Sequence, residues 1–309
     1  FLLNNYKGFM MGVLVLGTVA LDTVKTPFGW HERMLGGSAA HFSMSARLFT
    51  DLSLVAVVGE DFPLEHIAFL RAKGIDLSSL AIKKGKTFHW QGEYKNDLNS
   101  AITLKTELGV LADFNPQITS EQSKMKYLFL ANVDPDIQFS LLKLMHAPRI
   151  VALDSMNYWI NTKRKSLLKI LKKVDIYVAN DQEALSLSQE SNILQAARSL
   201  NKIGAKMVLI KKGEHGVIFY NGRSFFSLPA YPAERVVDPT GAGDTFAGGF
   251  IGYLAIKGKV NDQEIKNALA YGTIAASFNI ESFGLEKTAK LKMKDIDTRL
   301  IKFKNCVNF

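Results

Sequence analysis

Short apolar runs rich in Val, Ile and Leu alternate along the chain with segments whose apolar residues recur every three or four positions. The short runs predict buried strands, and the second pattern predicts amphipathic helices. The predicted strands are Val13–Leu16, Leu54–Val58, Tyr127–Leu130, Ile150–Leu153, Ile176–Val178, Met207–Ile210 and Val217–Tyr220. The predicted helices are Ala39–Phe49, Leu64–Lys73, Lys163–Lys172, Leu194–Ile203, Ala242–Ile256 and Asn261–Phe278. Together they indicate an α/β fold, a three-layer, mostly parallel sheet flanked by helices.

Two more polar segments interrupt this alternation of strands and helices. Lys86–Tyr94 and Ser100–Leu108 predict a β-hairpin, and the polar stretch Lys95–Asn99 joins its strands. Together with Thr23–Leu35, the hairpin is expected to form a small β flap, or lid, outside the main sheet.

The domain organisation that fits these elements is a single α/β domain over residues 12–309, with lid segments inserted around 22–36 and 86–108. Residues 1–11 are a candidate N-terminal extension, because Met10 and Met11 each offer an alternative start. The apolar run after Lys7 is too short to span a bilayer, and no small-residue cleavage pattern follows it.

The strongest chemical signal is the stretch Val237–Phe250, VDPTGAGDTFAGGF. Its glycines lie where a helix is predicted to begin, so backbone N–H groups and the helix dipole can converge on an anion such as a phosphoryl group. Asp244 lies in the first turn, where its carboxylate can accept the proton of an attacking hydroxyl. The helix dipole is expected to keep Asp244 ionised. The alternative is a helix start that serves packing alone, with Asp244 as its cap.

The sequence DPTGAGDTFAGGF is similar to the signature of the ribokinase-like, or PfkB-type, carbohydrate kinases. Gly36-Gly37 before a helix resembles the family's diglycine, which contacts the sugar. Asn180-Asp181-Gln182-Glu183 matches its N-x-x-E pattern, and the segment Lys211 to Gly216 occupies the place of its T-L-G-x-x-G nucleotide loop. The motifs follow the family's order, and the resemblance covers the chain from about Gly12 to Gly284.

This resemblance implies an ATP- and Mg²⁺-dependent kinase that phosphorylates a hydroxyl of a sugar or sugar-like substrate. Asp244 would be the catalytic base, and the backbone of Gly241-Ala242-Gly243 would form the anion hole. Asn180 would approach the nucleotide phosphates, and Glu183 would help to hold Mg²⁺ through water.

The resemblance also implies how the nucleotide and a monovalent cation would be held. Lys211, Gly213 and Gly216 would contact the nucleotide, although Lys211 stands where the family usually has Thr. Asp238 and Thr240 match positions that form a monovalent-cation site in some members of the family, so K⁺ is a candidate cofactor.

Substrate contacts are expected from the first predicted strand, the diglycine and the flap. Asp22 matches an acid that hydrogen-bonds substrate hydroxyls, and a carboxylate can accept from two neighbouring hydroxyls. Gly36 and Gly37 would lie against the same substrate. His41 replaces the Asn that the family often carries, and is either a substrate contact or a histidine with partners inside the fold. Trp90 would stack on a sugar face or a nucleobase, or pack the flap.

Four further residues follow predicted strand ends, where ligands collect in open α/β sheets. They are Asn132, Asp154, Asn157 and Trp159. Of these, we expect Asp154 or Asn157 to lie near the site.

Composition excludes several other classes of protein. The net charge is +9, but the densest basic stretch, Lys163 to Lys173, reads as an amphipathic helix, so we expect neither a nucleic acid nor a membrane as partner. The lone cysteine, Cys306, cannot form an internal disulfide and favours the cytoplasm. The scattered histidines give no transition-metal spacing, and neither a P-loop nor a dinucleotide fingerprint occurs.

Three alternatives remain open. The substrate is first expected to be a sugar or a sugar acid, with a nucleoside such as adenosine as the second choice. A catalytically inactive regulator with the same fold is the third reading. The flap is also a candidate homodimer interface, because Phe88, Trp90, Ile102 and Leu104 lie on it.

Overall fold

The computed structural model describes residues 12–95 and 97–307, so the candidate extension at 1–11 lies outside the described residues. The strands are β1 (Val13–Leu16), β2 (Ala20–Thr26), β3 (Gly29–Gly36), β4 (Leu52–Gly59), β5 (Ile75–Lys83), β6 (His89–Glu93), β7 (Ile102–Glu107), β8 (Tyr127–Leu130), β9 (Ile150–Asp154), β10 (Ile176–Asn180), β11 (Met207–Lys211), β12 (Val217–Tyr220) and β13 (Phe225–Leu228). The helices are α1 (Ser38–Ala46), α2 (Leu64–Ala72), α3 (Pro135–Leu142), α4 (Asn157–Thr162), α5 (Arg164–Leu171), α6 (Asp181–Ser188), α7 (Ile193–Ile203), α8 (Ala242–Lys257), α9 (Asp262–Asn279) and α10 (Met293–Val307).

The main sheet has the strand order β13-β12-β11-β10-β9-β8-β1-β4-β5. Its strands pair in parallel from β5 to β11, and only β12 and β13 in this sheet run antiparallel to their neighbours. The carboxyl ends of the parallel strands therefore share one edge of the sheet, which is where α/β proteins bind ligands. The predicted three-layer α/β class is confirmed.

Two apolar layers cover the two faces of this sheet. Along β1, Val13 and Val15 belong to one layer, and Leu14 and Leu16 belong to the other. Helices α1, α8, α9 and α10 contribute to the first layer, and α3 to α7 contribute to the second. Because both faces are buried, central strands such as β1 and β8 are apolar along their length.

The flap is a second sheet with the order β3-β2-β6-β7. The predicted hairpin pairs antiparallel as β6 and β7, and β2 joins it in parallel through β6. Asp61 ties both lid segments to the loop after β4. Its carboxylate accepts from the Arg33 guanidinium at 2.9 Å and from the N–H and hydroxyl of Thr87, both at 2.7 Å.

No helix among the described residues is long and apolar enough to cross a membrane. Helix α8 instead packs tightly between α1 and α9. A Cβ at Gly248 would collide with the Phe42 carbonyl oxygen on α1, and one at Gly249 would approach Ala275 on α9 to 3.0 Å. Gly248 thus allows α8 to pack close to α1, and Gly249 allows it to pack close to α9.

We expect Gly248→Ala to destabilise the fold by about 1–3 kcal/mol, because the added methyl must push α1 and α8 apart. Glycine-to-alanine substitution inside a helix otherwise stabilises by up to about 1 kcal/mol, so a loss reports the collision itself. Gly252→Ala is the matched control on the same face of α8, since its Cβ would lie 3.0 Å from the Phe49 side chain and 3.2 Å from the Ala46 backbone, which small shifts can relieve. Urea unfolding of both variants measures the difference. Equal midpoints would contradict the close packing at Gly248.

Candidate active site

A cavity of about 290 Å³ lies at the carboxyl edge of the main sheet, beneath the flap. Its walls come from the loops after β1, β8 and β9, from the starts of α1 and α8, and from the inner face of the flap. Its polar lining residues include Thr18, Asp22, Ser38, His41, Asn132, Thr240 and Asp244. Its apolar and aromatic lining residues include Phe88, Trp90, Leu108, Leu111, Val133, Met156, Tyr158 and Trp159.

Helix α8 begins at this cavity, which Gly241 and Asp244 line. Gly241 precedes it with φ 72°, a left-handed conformation that glycine adopts without strain, and a Cβ there would collide with the His41 ring. The N–H of Ala242 donates to the Pro239 carbonyl at 3.1 Å. The N–H groups of Gly241 and Gly243 are therefore the members of the predicted anion hole that remain for a ligand.

Asp244 lines the cavity one residue further on, and its protonation differs from the expectation. Burial and the negative charge of Asp154 raise the pKa of Asp244 to about 7, although Lys211 and the Asp244 backbone N–H oppose the shift. The helix dipole was expected to keep this group ionised, but burial raises its pKa so far that Asp244 is only partly ionised near neutral pH. A pKa near 7 nevertheless suits a general base that works near neutral pH.

Lys211 places a buried positive charge beside the anion hole. Its ammonium group binds the Asp154 carboxylate at 2.9 Å, and a Cβ at Gly243 would lie 2.8 Å from the Lys211 Nζ atom. The pKa of Lys211 is raised, because the charges of Asp154, Glu183 and Asp244 outweigh its burial. The sequence placed Asp154 near the site without a partner, and this ion pair supplies one.

Asn180 and Glu183 form a capping box at the start of α6. The Asn180 side chain accepts from the Glu183 N–H at 2.7 Å, and the Glu183 carboxylate accepts from the Asn180 N–H at 2.8 Å. The N-x-x-E pattern therefore has a structural task of its own. Burial and the charge of Asp154 raise the pKa of Glu183 to about 8.

The predicted nucleotide loop turns sharply after β11. Gly213 and Gly216 have φ values of 53° and 83°, and the Gly216 N–H donates to the Gly213 carbonyl at 3.2 Å. The turn of the flap reaches this loop, since the Asn99 side chain donates to Glu214 at 3.1 Å and accepts from its N–H at 3.4 Å. Flap and loop are thus in contact.

The diglycine Gly36-Gly37 leaves space for the Asp22 carboxylate and donates a hydrogen bond to it. The Gly37 N–H donates to the buried Asp22 carboxylate at 3.0 Å, and a Cβ at Gly36 would collide with the same carboxylate. Burial and the charges of Asp238 and Asp244 raise the pKa of Asp22 to about 7, although the Gly37 N–H opposes the shift.

His41 lines the same cavity as Asp22, and its ring packs against Gly241. Its Nδ1 atom is 3.0 Å from the Asn279 side-chain oxygen. His41 is thus both a lining residue and a histidine with a partner inside the fold, the two alternatives that the sequence left open. Sequence reasoning missed Asn279, which lies outside every motif.

Trp90 lines the cavity. Its Nε1 atom donates a hydrogen bond to the Thr103 hydroxyl at 3.2 Å. Asn132 and Trp159 also line the cavity, and the buried Asn132 amide oxygen has no hydrogen-bond partner within residues 12–95 and 97–307. Neither Asp154 nor Asn157 lines the cavity, and Asn157 is exposed at the start of α4. Asp154 is near the site through its ion pair with Lys211 and its effect on the pKa of Asp244.

Asp238 braces the loop before α8. Its carboxylate accepts from the N–H groups of Thr240 at 2.9 Å and Gly284 at 3.1 Å, and it is fully buried. No group of three or more His, Cys, Asp or Glu side chains that suits a metal ion occurs in the described part of the chain. A monovalent-cation site at Asp238 and Thr240 therefore stays a prediction.

Residues 15–290 match the model of the pfkB family of carbohydrate kinases. The chain belongs to this family. It is accordingly a phosphotransferase that acts on a hydroxyl group. The chain is 37% identical to a cytidine kinase of Thermococcus kodakarensis over 248 residues, which is 78% of this chain and 88% of the relative.

Two solved structures of the family share the fold. A nucleoside kinase of Methanocaldococcus jannaschii superposes with a TM-score of 0.77 at 21% identity, over 95% of this chain and 99% of that one. An E. coli protein described as ribokinase II, in complex with ATP and Mg²⁺, gives a TM-score of 0.78 at 20% identity, over 94% and 99%.

The residues of the cavity fit the cofactors that this family uses. The helix start at Gly241 to Gly243 and the Lys211 ammonium suit polyphosphate, because both are positive and a side chain at Gly243 would fill the space between them. Glu183 offers a hard oxygen ligand of the kind that Mg²⁺ prefers. One carboxylate leaves most coordination positions to phosphate and water, as is usual for this ion.

We expect kcat/KM to rise with pH through an apparent pKa near 7, because Asp244 must be deprotonated to accept a proton and activity is lost below its pKa. Asp154→Asn removes the charge that helps to raise this pKa, so the acid limb of the profile should move to lower pH.

Asp175→Asn is the matched control, because Asp175 forms a comparable pair with Lys206 at 2.7 Å away from the cavity. The pH profiles of the three proteins make the comparison. An unmoved acid limb in Asp154→Asn would remove Asp154 as a cause of the Asp244 shift.

Proposed function

We propose that this kinase transfers the γ-phosphate of ATP to a hydroxyl of a nucleoside. The observation that carries the proposal is the lining of the cavity, which combines polar side chains with apolar and aromatic ones. A sugar ring with its hydroxyls would contact Asp22, His41 and Asp244. A nucleobase would contact the aromatic lining, to which Trp90 on the flap and Trp159 on α4 belong.

A free sugar, the first expectation from the sequence, could also stack one face on Trp90, but it would leave much of the aromatic lining without a contact. A nucleobase adds a flat aromatic surface, and bases stack on aromatic side chains with about 1–3 kcal/mol each. The names of two relatives, a cytidine kinase and a nucleoside kinase, add support. Pyrimidine and purine nucleosides are both open.

The catalytic chemistry follows from what surrounds Asp244. Its carboxylate accepts the proton of the substrate hydroxyl as the oxygen attacks phosphorus. The N–H groups of Gly241 and Gly243 and the Lys211 ammonium stabilise the charge on the phosphoryl oxygens. Lys211 approaches from the side where it binds Asp154, so the ion pair orients it.

Glu183 and Asn180 would hold the metal and the polyphosphate of the nucleotide. The capping box uses one Glu183 oxygen and fixes its direction, and the second oxygen is the candidate Mg²⁺ contact. When bound there, Mg²⁺ would neutralise part of the negative charge of the phosphates. Gly213 and Gly216 would contact the adenosine part of ATP.

The flap acts as a lid that keeps water from the reacting phosphate. Asp61 anchors both of its segments, and the contact between Asn99 and Glu214 joins its tip to the nucleotide loop. Trp90 therefore moves with the lid.

The outer face of the flap is the proposed contact between two copies of this chain. Of the four residues expected there, Phe88 is half-buried and Phe88 and Trp90 line the cavity. Ile102 and Leu104 are 44% and 53% exposed, and Trp30, which is 61% exposed, lines a depression of the flap together with Leu104. Dependence on K⁺ through Asp238 and Thr240 remains a further hypothesis.

Asp244→Asn is expected to lower kcat by about 10²–10⁴-fold and to leave ATP binding intact, because the base is lost while the anion hole stays. Coupled ADP release with Mg-ATP, run against nucleosides, pentoses, hexoses, sugar phosphates and sugar acids, identifies the substrate.

Asp51→Asn, the same substitution at an exposed site, should behave as wild type. Turnover of a sugar in preference to every nucleoside would overturn the nucleoside proposal. ATP binding with no turnover of any compound would favour the inactive-regulator alternative.

Trp90→Leu is expected to raise KM for the nucleoside roughly 10- to 100-fold through lost stacking, with a smaller effect on kcat. Trp30→Leu is its matched control, because Trp30 lies on the outer face of the same flap. Steady-state kinetics of both variants test the point. Similar KM values for both would place the base elsewhere.

A further inference from the structure

A buried hydrogen-bond network joins His41, which lines the cavity, to the loop before α8. The Asn279 side chain, at the end of α9, donates through Nδ2 to the Thr240 carbonyl at 2.8 Å. Its Oδ1 atom is 2.9 Å from the Thr245 hydroxyl and 3.0 Å from His41 Nδ1. Asn279 is 1% exposed and His41 is 2% exposed.

These partners determine where the protons lie. A carbonyl oxygen only accepts, so the Asn279 atom facing Thr240 must be the amide nitrogen, and the atom facing His41 must be the oxygen. An amide oxygen cannot donate, so His41 Nδ1 must carry a proton. Burial lowers the pKa of His41, so the ring is neutral near neutral pH and its Nε2 atom has a free lone pair.

The remaining ring nitrogen, Nε2, forms no hydrogen bond with the part of the chain that the structure describes, whereas Nδ1 has Asn279. His41 lines the cavity with Asp22 and Asp244. A carboxylate accepts hydrogen bonds in its ionised form, and an unprotonated Nε2 accepts them as well. These three residues can therefore offer acceptors to three hydroxyls of a substrate.

We propose that Asn279 is a positioning residue that fixes His41 as the Nδ1–H tautomer, so that Nε2 accepts a hydrogen bond from a third substrate hydroxyl. Asp22 and Asp244 take the other hydroxyls, and Asp244 takes the one that is phosphorylated. This step rests on the proposed nucleoside kinase. It makes the enzyme selective for a ribonucleoside, with three hydroxyls, over its deoxy analogues, with two.

The same amide supports both recognition and catalysis. Asn279 binds the Thr240 carbonyl, one residue before Gly241, and Gly241 packs on the His41 ring. A substrate that binds to His41 would therefore contact the side chain that packs on Gly241, in the loop of the proposed anion hole.

The first test is direct and requires no substrate. ¹⁵N NMR of protein labelled at its histidines distinguishes a protonated from an unprotonated ring nitrogen, and the spectrum of His41→Phe assigns the His41 signals among six histidines. We expect protonated Nδ1 and unprotonated Nε2 in the wild type, and a changed tautomer in Asn279→Leu. A proton on Nε2 in the wild type overturns the inference whatever the substrate is.

The second test measures recognition. The ribonucleoside that the enzyme phosphorylates is compared with its 2′-deoxy and 3′-deoxy analogues. One deletion should lower wild-type kcat/KM roughly 10- to 100-fold, because it leaves His41 Nε2 buried without a donor. That penalty should nearly vanish in His41→Phe and in Asn279→Leu.

Thr245→Val is the control, because it removes the other donor to Asn279 Oδ1 but leaves the bond to His41. The penalty should persist in this variant. Thermal unfolding shows which variants are folded, and the wild-type NMR result stands if Asn279→Leu is not. Penalties that survive in His41→Phe would overturn the contact. Absence of any wild-type turnover of ribonucleosides would instead overturn the proposed function.

Discussion

The ion pair between Lys211 and Asp154 is the interaction on which the charged groups around Asp244 depend. Asp154, Glu183 and Asp244 all raise the pKa of Lys211, and the charge of Asp154 raises the pKa of both Glu183 and Asp244. One buried lysine thus offsets only part of the repulsion among three acids, and the raised pKa values of Glu183 and Asp244 mean that protonation relieves the rest. A metal cation that arrives with the nucleotide would favour the ionised form of these carboxylates.

The fold brings these groups together through its parallel strands. Asp154 is the last residue of β9, and Lys211 is the last residue of β11. Both lie at the carboxyl edge of the sheet, and β10 lies between the two strands. Asp244 reaches the same place from α8, whose close packing on α1 also sets the distance to His41. The anion hole, the base and the substrate contacts therefore depend on the same two helices, and displacement of one would disturb them all.

The sequence predicted what local pattern controls and missed what long-range packing controls. Central strands such as β1 and β8 were found because they are buried on both faces, whereas the edge strand β5 is more polar and was missed. The signature around Asp244 pointed to the proposed base, but the Asp244 pKa depends on burial and on Asp154, 90 positions away (244 − 154), which no pattern encodes. Asn279 escaped notice for the same reason, since its partner His41 is 238 positions distant.

The lid connects the two halves of the reaction. Trp90 faces the cavity from the flap, while Asn99, in the turn of the same hairpin, hydrogen-bonds to Glu214 in the nucleotide loop. A closed flap therefore contacts the place of the acceptor and the place of the nucleotide at once. Its closure gains most free energy when both are occupied, because each adds contacts that the other cannot supply. A lid of this design assembles the site around two substrates and leaves it open to water with one.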